Sequence, residues 1–312
     1  MNVLIVHAHP EPQSFTAALR DQAVETFRAQ GHQVQVSDLY AMGWNPVASA
    51  DDFSQRENPE YLVYALEQRQ GVKRGAIAAD IRQELDKLLW ADLLVLNFPI
   101  FWFSAPAMLK GWIDRVLVSG VCYGGKRFYD QGGLAGKKAL VTVTLGGREH
   151  MFGDGAIHGP LEDMLRPILR GTLAYVGFEV LPPFVAWHVP YISDEARQAF
   201  LQQYRQRLDQ LMKDAQLAGQ LPAERLVAEA AALAERQDVR EELVRLEAHL
   251  EDFAERLQRG ELAGKWLDVW CQEILRELNT CGSKCKRLTM TRAVMEAKGV
   301  LDQLREQGAN LE

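Results

Sequence analysis

Short apolar runs alternate with longer amphipathic stretches through the first two thirds of the chain. Apolar runs that predict buried strands lie at residues 3–8, 93–97, 138–144 and 178–186, and residues 33–37, where Val alternates with polar residues, predict a further strand. Apolar positions at helical spacing occupy residues 14–29, 80–90, 107–117 and 161–176. Residues 39–71 are polar and irregular, which predicts a long loop. Because strands alternate with helices, we expect a parallel sheet with helices on both of its faces.

The pattern changes after Asp194, where no further strand is predicted. Residues rich in Glu, Arg, Leu and Ala at helical spacing occupy 194–217, 222–237, 238–258, 264–279 and 287–307. The two patterns meet near residues 210–220. We therefore predict an α/β domain over residues 1–210 and an all-α domain over residues 211–312.

Composition argues against several classes of protein. The 312 residues carry a net charge of −7, and 47% of them are hydrophobic, which is enough for a substantial core. The acidic balance argues against a nucleic-acid partner, because phosphate contacts need clustered Lys and Arg. No apolar run approaches the roughly 20 residues that span a bilayer, and no signal-peptide pattern opens the chain. Four cysteines are too few for a disulfide framework, so we expect a cytoplasmic protein with thiols.

The most informative segment follows the third predicted strand and places three aromatic residues in a loop. This aromatic loop consists of Pro99, Ile100, Phe101, Trp102 and Phe103. Aromatic side chains are costly to expose, and open α/β sheets bind their ligands at the carboxyl ends of their strands. A flat ligand that needs an apolar wall would explain the loop.

Two further loops begin at the same predicted edge of the sheet. After the first strand, Ser14 precedes a helix whose N-terminal N–H groups could hold a phosphate, although an ordinary Ser N-cap would look the same. After the fourth strand come Gly146 and Gly147, which let the backbone approach a flat ring closely. A Gly-Gly pair also marks many turns, so its position beside the aromatic loop carries the argument.

Together these loops resemble the flavodoxin-like quinone reductases of the DT-diaphorase type, and the resemblance covers nearly all of residues 1–200. It implies a five-stranded parallel sheet in the order 2-1-3-4-5, followed here by the helical domain, and a bound FAD, with FMN as the alternative. The residues implied to hold the flavin diphosphate are His9, Ser14, Phe15 and Thr16, the last of which stands where the family has Asn. The residues implied to contact the rest of the flavin are the aromatic loop, Thr144, Gly146, Gly147 and, near the adenine, Arg197.

The resemblance also implies a reaction, namely ping-pong hydride transfer from NAD(P)H through the flavin to a quinone. His158 matches a histidine that acts with a tyrosine near flavin and quinone, but Phe152 stands at the tyrosine position. Phe152 can form a wall of the site but cannot hydrogen-bond. Tyr123 and Tyr175 match residues of the quinone pocket, which the family builds partly across a dimer interface. We therefore expect a homodimer or a larger homo-oligomer.

The helical half carries the segments Asp238-Val239-Arg240-Glu241-Glu242-Leu243 and Arg276-Glu277-Leu278-Asn279-Thr280, the second followed by Gly282-Ser283-Lys284. With these segments, residues 222–312 resemble a different family, the C-terminal domain of the YicC-type endoribonucleases. Glu273 and Glu277 lie one helical turn apart, a spacing that could hold a divalent metal. Exposed carboxylates at this spacing more often pair with a neighbouring cation, here Arg276 or Lys284, so we expect no metal.

Cysteines in the helical half could suggest zinc, but their spacing does not suit it. Structural zinc sites need four ligands and closer cysteine pairs than Cys271, Cys281 and Cys285 provide, so we expect buried thiols. The sequence thus predicts a reductase fused to a helical domain. Two alternatives are an assembly protein with a dormant reductase half and a metal-dependent endoribonuclease.

Overall fold

The computed structural model describes residues 1–220, 239–261, 264–284 and 288–308. The chain divides into two compact units, Met1–Ala215 and Gln216–Glu312. The helix predicted over residues 222–237 and the thiol of Cys285 lie outside the described residues.

The first unit is built on a parallel sheet. Its strands are β1 Asn2–His7, β2 Gln33–Asp38, β3 Leu93–Pro99, β4 Lys138–Thr144, β5 Glu179–Val180 and β6 Phe184–Ala186. The order is β2-β1-β3-β4-β5, and β6 also pairs with β4. The predicted fold class, a parallel sheet in the order 2-1-3-4-5 followed by a helical region, is confirmed.

The last strand is broken where the sequence predicted one continuous run over residues 178–186. Its first part pairs with the start of β4 and its second part with the end of β4. Pro182 and Pro183 lie between the two parts, and a proline has no N–H to donate to a neighbouring strand. The segment therefore occupies one position in the sheet as two short strands.

Helices cover both faces of this sheet. They are α1 Phe15–Ala29, α2 Tyr64–Arg74, α3 Ala79–Trp90, α4 Ala107–Val116, α5 Leu161–Ile168 and α6 Asp194–Gln220. Side chains alternate along each strand, so Leu4 and Val6 join one apolar cluster while Val3 and Ile5 join the other. Both faces of the central strands β1, β3 and β4 are buried, as expected for a parallel sheet between two helical layers, whereas the edge strand β2 is only partly buried.

The prediction of a loop over residues 39–71 is partly wrong, because α2 begins inside this segment. The predicted loop includes Gly71, but this residue lies within the helix. A Cβ at Gly71 would lie 3.0 Å from Cγ1 of Ile77, so close packing explains the glycine. The helix ends instead at Gly75, which is left-handed with φ of 69°.

The helix predicted over residues 161–176 is also shorter than expected. The α-helical part ends at Ile168, and Leu169–Ala174 continue as a π-helix. Pro167 lies at this change, and its missing N–H removes one α-helical hydrogen bond.

The described part of the second unit consists of helices. They are α7 Arg240–Arg259, α8 Gly264–Lys284 and α9 Leu288–Gly308. Their common core includes Leu267, Trp270, Ile274, Leu278 and Leu301. Cys271 and Cys281 are buried in it, as predicted for these two thiols. None of the described helices has an apolar stretch that could cross a membrane.

The carboxylates considered for a metal differ from expectation in their surroundings. Glu277 was expected on an exposed face, but it is buried and lies 3.6 Å from the guanidinium of Arg245. Lys284 pairs instead with Glu242, at 2.7 Å. The reason is that α8 is the central helix of the described unit, so the face that carries Glu277 packs against α7. Within the described residues no group of three potential metal ligands occurs.

Candidate active site

Four loops meet at the carboxyl edge of the sheet, after β1, β3, β4 and β6. The register aligns His7 with Asn97, and Asn97 with Thr142, so three of these loops start side by side. Parallel α/β sheets bind their ligands at this edge, which is where the sequence placed the candidate residues.

Buried hydrogen bonds join the loops beneath the candidate site. The amide Nδ2 of Asn97 donates to the carbonyl oxygen of Thr16 at 2.8 Å. The hydroxyls of Thr16 and Thr144 lie 2.7 Å apart, although 128 residues separate them in the chain. We call this the threonine link. It fixes the start of α1 relative to the end of β4 and leaves the Thr16 hydroxyl turned inward.

His7 lies under the same loops and is fully buried. Burial lowers its pKa to about 4, and the nearby positive charge of Arg20 acts in the same direction. Its Nε2 and the Oδ1 of Asn97 have no hydrogen-bond partner within the described residues. His7 is therefore neutral at neutral pH and belongs to the support of the site, a role that the sequence did not suggest.

The loop after β1 offers several donors to an anion. Ser14 caps α1, and its hydroxyl accepts from the N–H of Ala17 at 3.1 Å. The backbone N–H of Glu11 donates to Nδ1 of His9 at 2.9 Å. Nε2 is therefore the ring nitrogen that is available to a ligand. Partial burial lowers the pKa of His9.

A cavity of about 450 Å³ with both polar and apolar lining residues continues from the N-terminus of α1. Its lining includes Ser14, Phe15, Val189 and Arg197. The guanidinium of Arg197 contacts Asp194 at 2.6 Å and the carbonyl oxygen of Val189 at 3.2 Å. The structure thus brings Arg197 together with the residues predicted to hold a diphosphate.

The aromatic loop contains a strained turn. Phe101 and Ser104 exchange two backbone hydrogen bonds of 3.0 Å, and the residues between them, Trp102 and Phe103, have φ of 48° and 60°. This is the geometry of a type I′ turn, which normally needs Asn or Gly at both central positions. The Trp102 side chain is 95% exposed. A strained turn that holds a large apolar side chain in solvent is typical of a ligand-binding loop.

His158 is joined to the aromatic loop by ring contacts. Its ring centroid lies 5.3 Å from that of Phe103 and 5.0 Å from that of Phe152. The Phe152 ring also contacts Trp187 at 5.2 Å. A Cβ on Gly147 would lie 2.7 Å from the Phe152 ring, which explains the glycine. The structure therefore groups His158 and Phe152 with two loops, and it adds Trp187, which the sequence did not single out.

Tyr123 and Tyr175 form a separate aromatic cluster. Their ring centroids are 5.8 Å apart, and Tyr175 stacks on Phe128 at 6.1 Å. Burial raises the pKa of Tyr123. Within the described residues, no ring contact joins the pair to the aromatic loop or to His158. The structure does not bring these two residues into the group formed by the loops.

Comparisons with known proteins agree with this fold. A family model described as "Flavodoxin-like fold" matches residues 1–210, and one described as "Endoribonuclease YicC-like, C-terminal" matches residues 193–312. Ribosyldihydronicotinamide dehydrogenase (quinone) of Pongo abelii is 41% identical over 213 residues, which cover 68% of this chain and 92% of the relative. NAD(P)H dehydrogenase (quinone) 1 of Rattus norvegicus is 38% identical over 215 residues, 69% of this chain and 78% of the relative. A crystal structure from Klebsiella pneumoniae is 41% identical, with a TM-score of 0.66, and covers 68% of this chain and 85% of that one.

Proposed function

The chain belongs to the flavodoxin-like family matched over residues 1–210, and from that premise we propose that it is a flavin-dependent NAD(P)H:quinone oxidoreductase. The relatives compared above are named as quinone dehydrogenases. The observation that supports the proposal most is the strained turn at Trp102 and Phe103, because it displays aromatic surface at the edge of the sheet where ligands bind.

The loop after β1 suits a diphosphate. The N-terminal N–H groups of α1 and Nε2 of His9 can donate to its oxygens, and Ser14 holds the start of the helix in place. The cavity beside Phe15 and Arg197 offers about 450 Å³ for an adenosine group. We therefore propose FAD as the cofactor rather than FMN, which would leave this cavity without a ligand.

The residues around the Gly-Gly loop suit a flavin ring. Trp102 and Phe103 provide an apolar wall, Thr144 lies at the end of β4, and Gly147 allows the backbone to approach closely. When bound, the flavin supplies two-electron chemistry, accepting hydride from NAD(P)H and giving it to a quinone in separate half-reactions. His158 would hold a proton at its imidazole, and Phe152 would keep water from that edge.

The quinone site is proposed to involve a second copy of the chain. Tyr123 and Tyr175 present an aromatic surface beside a small cavity of about 170 Å³, separate from the loops of their own chain. A partner molecule would bring such a surface to the flavin site if the protein is a symmetric dimer.

The absorption spectrum of the purified protein tests the proposal directly. We expect flavin bands with one flavin per chain, FAD rather than FMN after release by heat, and reoxidation of the reduced protein by a benzoquinone. NADH, NADPH and dihydronicotinamide riboside should be compared as donors, because the relatives differ in their named donor. A protein that neither carries nor takes up flavin would overturn the proposal.

Trp102→Ala gives a sharper test of the turn. Removing this side chain should weaken flavin binding by about 1–3 kcal/mol, because apolar contact with the ring is lost. Tyr61→Ala is a matched control, since Tyr61 is another aromatic with 70% of its surface exposed. Equal flavin dissociation constants for the two variants, measured by fluorescence titration, would contradict the placement of Trp102 at the ring.

The helical unit is proposed to serve assembly. Its described helices expose apolar side chains, among them Leu243, Val244, Leu250 and Val300. A ribonuclease site receives no support from the described residues, because Glu277 lies against Arg245 and Glu242 is paired with Lys284.

A further inference from the structure

His188 follows β6 and lies against the Gly-Gly loop that follows β4. The backbone pairing of these strands continues beyond their ends, with Leu145 N–H donating to Ala186 at 3.1 Å. The N–H of His188 then donates to the carbonyl oxygen of Gly147 at 2.9 Å. His188 is left-handed, with φ of 57°, and this turns its side chain back toward the same loop.

The imidazole of His188 makes a second contact with that loop. Its Nδ1 lies 2.8 Å from the carbonyl oxygen of Gly146. Because a carbonyl oxygen can only accept, Nδ1 carries the proton. The other nitrogen, Nε2, accepts from Nε of Arg148 at 3.4 Å. The ring also packs on Tyr191, with centroids 4.8 Å apart, so its orientation is held from several sides.

Both carbonyl groups of the Gly-Gly pair therefore point toward His188. In a planar trans peptide the N–H points opposite to the C=O, so the N–H groups of Gly147 and Arg148 point away from His188. These two N–H groups make no hydrogen bond with any described residue. A Gly-Gly peptide rotates easily between opposite orientations, so without a fixed partner for its carbonyl groups the direction of these donors would not be set.

We propose that His188 is a positioning residue that aims the N–H groups of the Gly-Gly loop at the electron-rich edge of the flavin ring. The inference depends on the flavin function proposed above. Aimed donors stabilise the negative charge of reduced flavin more than the neutral oxidised form. His188 thus raises the affinity for reduced flavin relative to oxidised flavin, and through this the midpoint potential.

Two substitutions separate the side-chain hydrogen bond from the backbone conformation. Glycine and asparagine both tolerate the left-handed conformation, but only asparagine has a side-chain N–H that can replace Nδ1. His188→Gly therefore keeps the turn and loses the contact to Gly146, whereas His188→Asn keeps both. The measurements are the flavin dissociation constant of the reconstituted protein and its midpoint potential by spectroelectrochemistry.

In His188→Gly we expect the affinity ratio of reduced to oxidised flavin to fall by about threefold to tenfold, the effect of one hydrogen bond. The midpoint potential of His188→Gly shifts to more negative values accordingly. In His188→Asn, both the affinity ratio and the midpoint potential stay close to the wild-type values. Wild-type values in His188→Gly, or equal changes in both variants, overturn the inference. A wild-type chain that binds no flavin overturns the proposed function itself and this role with it, which distinguishes the two failures.

Discussion

We expect the chemistry of the candidate site to depend most on His158, the histidine beside Phe152. In this chain no tyrosine hydroxyl is available at position 152, so the imidazole of His158 is the polar group that contacts both Phe103 and Phe152. The expected role of His158 is to hold a proton near the reacting ring.

Replacing His158 with Gln should slow reduction of the flavin by roughly tenfold to a thousandfold, because a general acid or base contributes by about that factor. Stopped-flow absorbance after mixing with NADH measures the step. His150→Gln is the matched control, since His150 is exposed in the same loop. Reduction of His158→Gln at the wild-type rate would leave His158 with a structural role only.

Phe152→Tyr should raise the rate of flavin reduction, because it adds a hydroxyl that can hydrogen-bond at the edge of the proposed flavin ring. The substitution adds one oxygen to a ring that already packs between His158 and Trp187. A rate that stays unchanged, in a variant that retains flavin, would show that the hydroxyl is dispensable here.

The buried His7 makes stability depend on pH. Its pKa is lowered from 6.5 to about 4 by burial, so the unfolded chain binds a proton at a higher pH than the folded chain does. Well above pH 6.5, His7 is neutral in both states and does not change the free energy of unfolding, which falls as pH decreases from 6.5 toward 4. Between pH 7 and pH 5 the loss from this group is about 2 kcal/mol.

Urea unfolding at pH 7 and pH 5 measures this loss, and His7→Gln should remove most of it. His9 and His32, whose pKa values burial also lowers, act in the same direction and remain in the variant. An identical pH dependence in His7→Gln and the wild type would mean that His7 accepts its proton without unfolding.

The strained turn of the aromatic loop lowers the stability of the flavin-free protein and exposes aromatic surface. Trp102 and Phe103 both adopt a conformation that costs a residue with a side chain about 1 kcal/mol or more. Replacing them together with Asn-Gly, the preferred sequence of a type I′ turn, should stabilise the flavin-free protein by about 1–2 kcal/mol. The same change should abolish tight flavin binding.

Chemical denaturation of the flavin-free proteins and a flavin titration test the two halves of this prediction. Phe101→Leu, which leaves both strained positions as they are, serves as the control for loss of one aromatic ring. A double variant that is less stable than the wild type would show that the turn is not strained.

The strand pattern predicted most of the fold because buried parallel strands read as continuous apolar runs. The sequence does not predict the break in the last strand, because residues 178–186 look like one such run and only Pro182 and Pro183 mark the break. The polar sequence of residues 39–71 predicts a loop, but α2 begins inside this segment at Tyr64 and continues through Gly71. A glycine fits this position of the helix because a side chain at Gly71 would lie too close to Ile77.

The position of the site was predictable from the edge of the sheet, but its internal contacts were not. The threonine link joins residues 128 positions apart, and no local pattern indicates that two hydroxyls will meet. His188 likewise depends on the broken strand, because only the second half of that strand brings it beside Gly146 and Gly147.

The two units should be separable if the helical one serves assembly. The core of the first unit includes Leu211 and Met212, so a chain cut at residue 210 would lose buried side chains. A chain that ends at Ala215 keeps them. We expect it to retain flavin and quinone reductase activity and to form a smaller assembly than the full chain.

Multi-angle light scattering and steady-state turnover test this division. The full chain is the reference for both measurements. An equal number of chains per assembly in the two proteins would contradict a role of the helical unit in association. A shortened chain that stays folded and dimeric but loses all turnover would mean that the helical unit contributes to catalysis.

The threonine link has a thermodynamic consequence for how the cofactor is recognised. It joins the loop proposed for the diphosphate to the strand end proposed for the ring, so ordering one loop helps to order the other. Occupation of the phosphate end by ADP should then tighten binding of riboflavin at the ring end, and the reverse must hold by the same factor. The two halves of the cofactor would bind cooperatively even when they arrive as separate molecules.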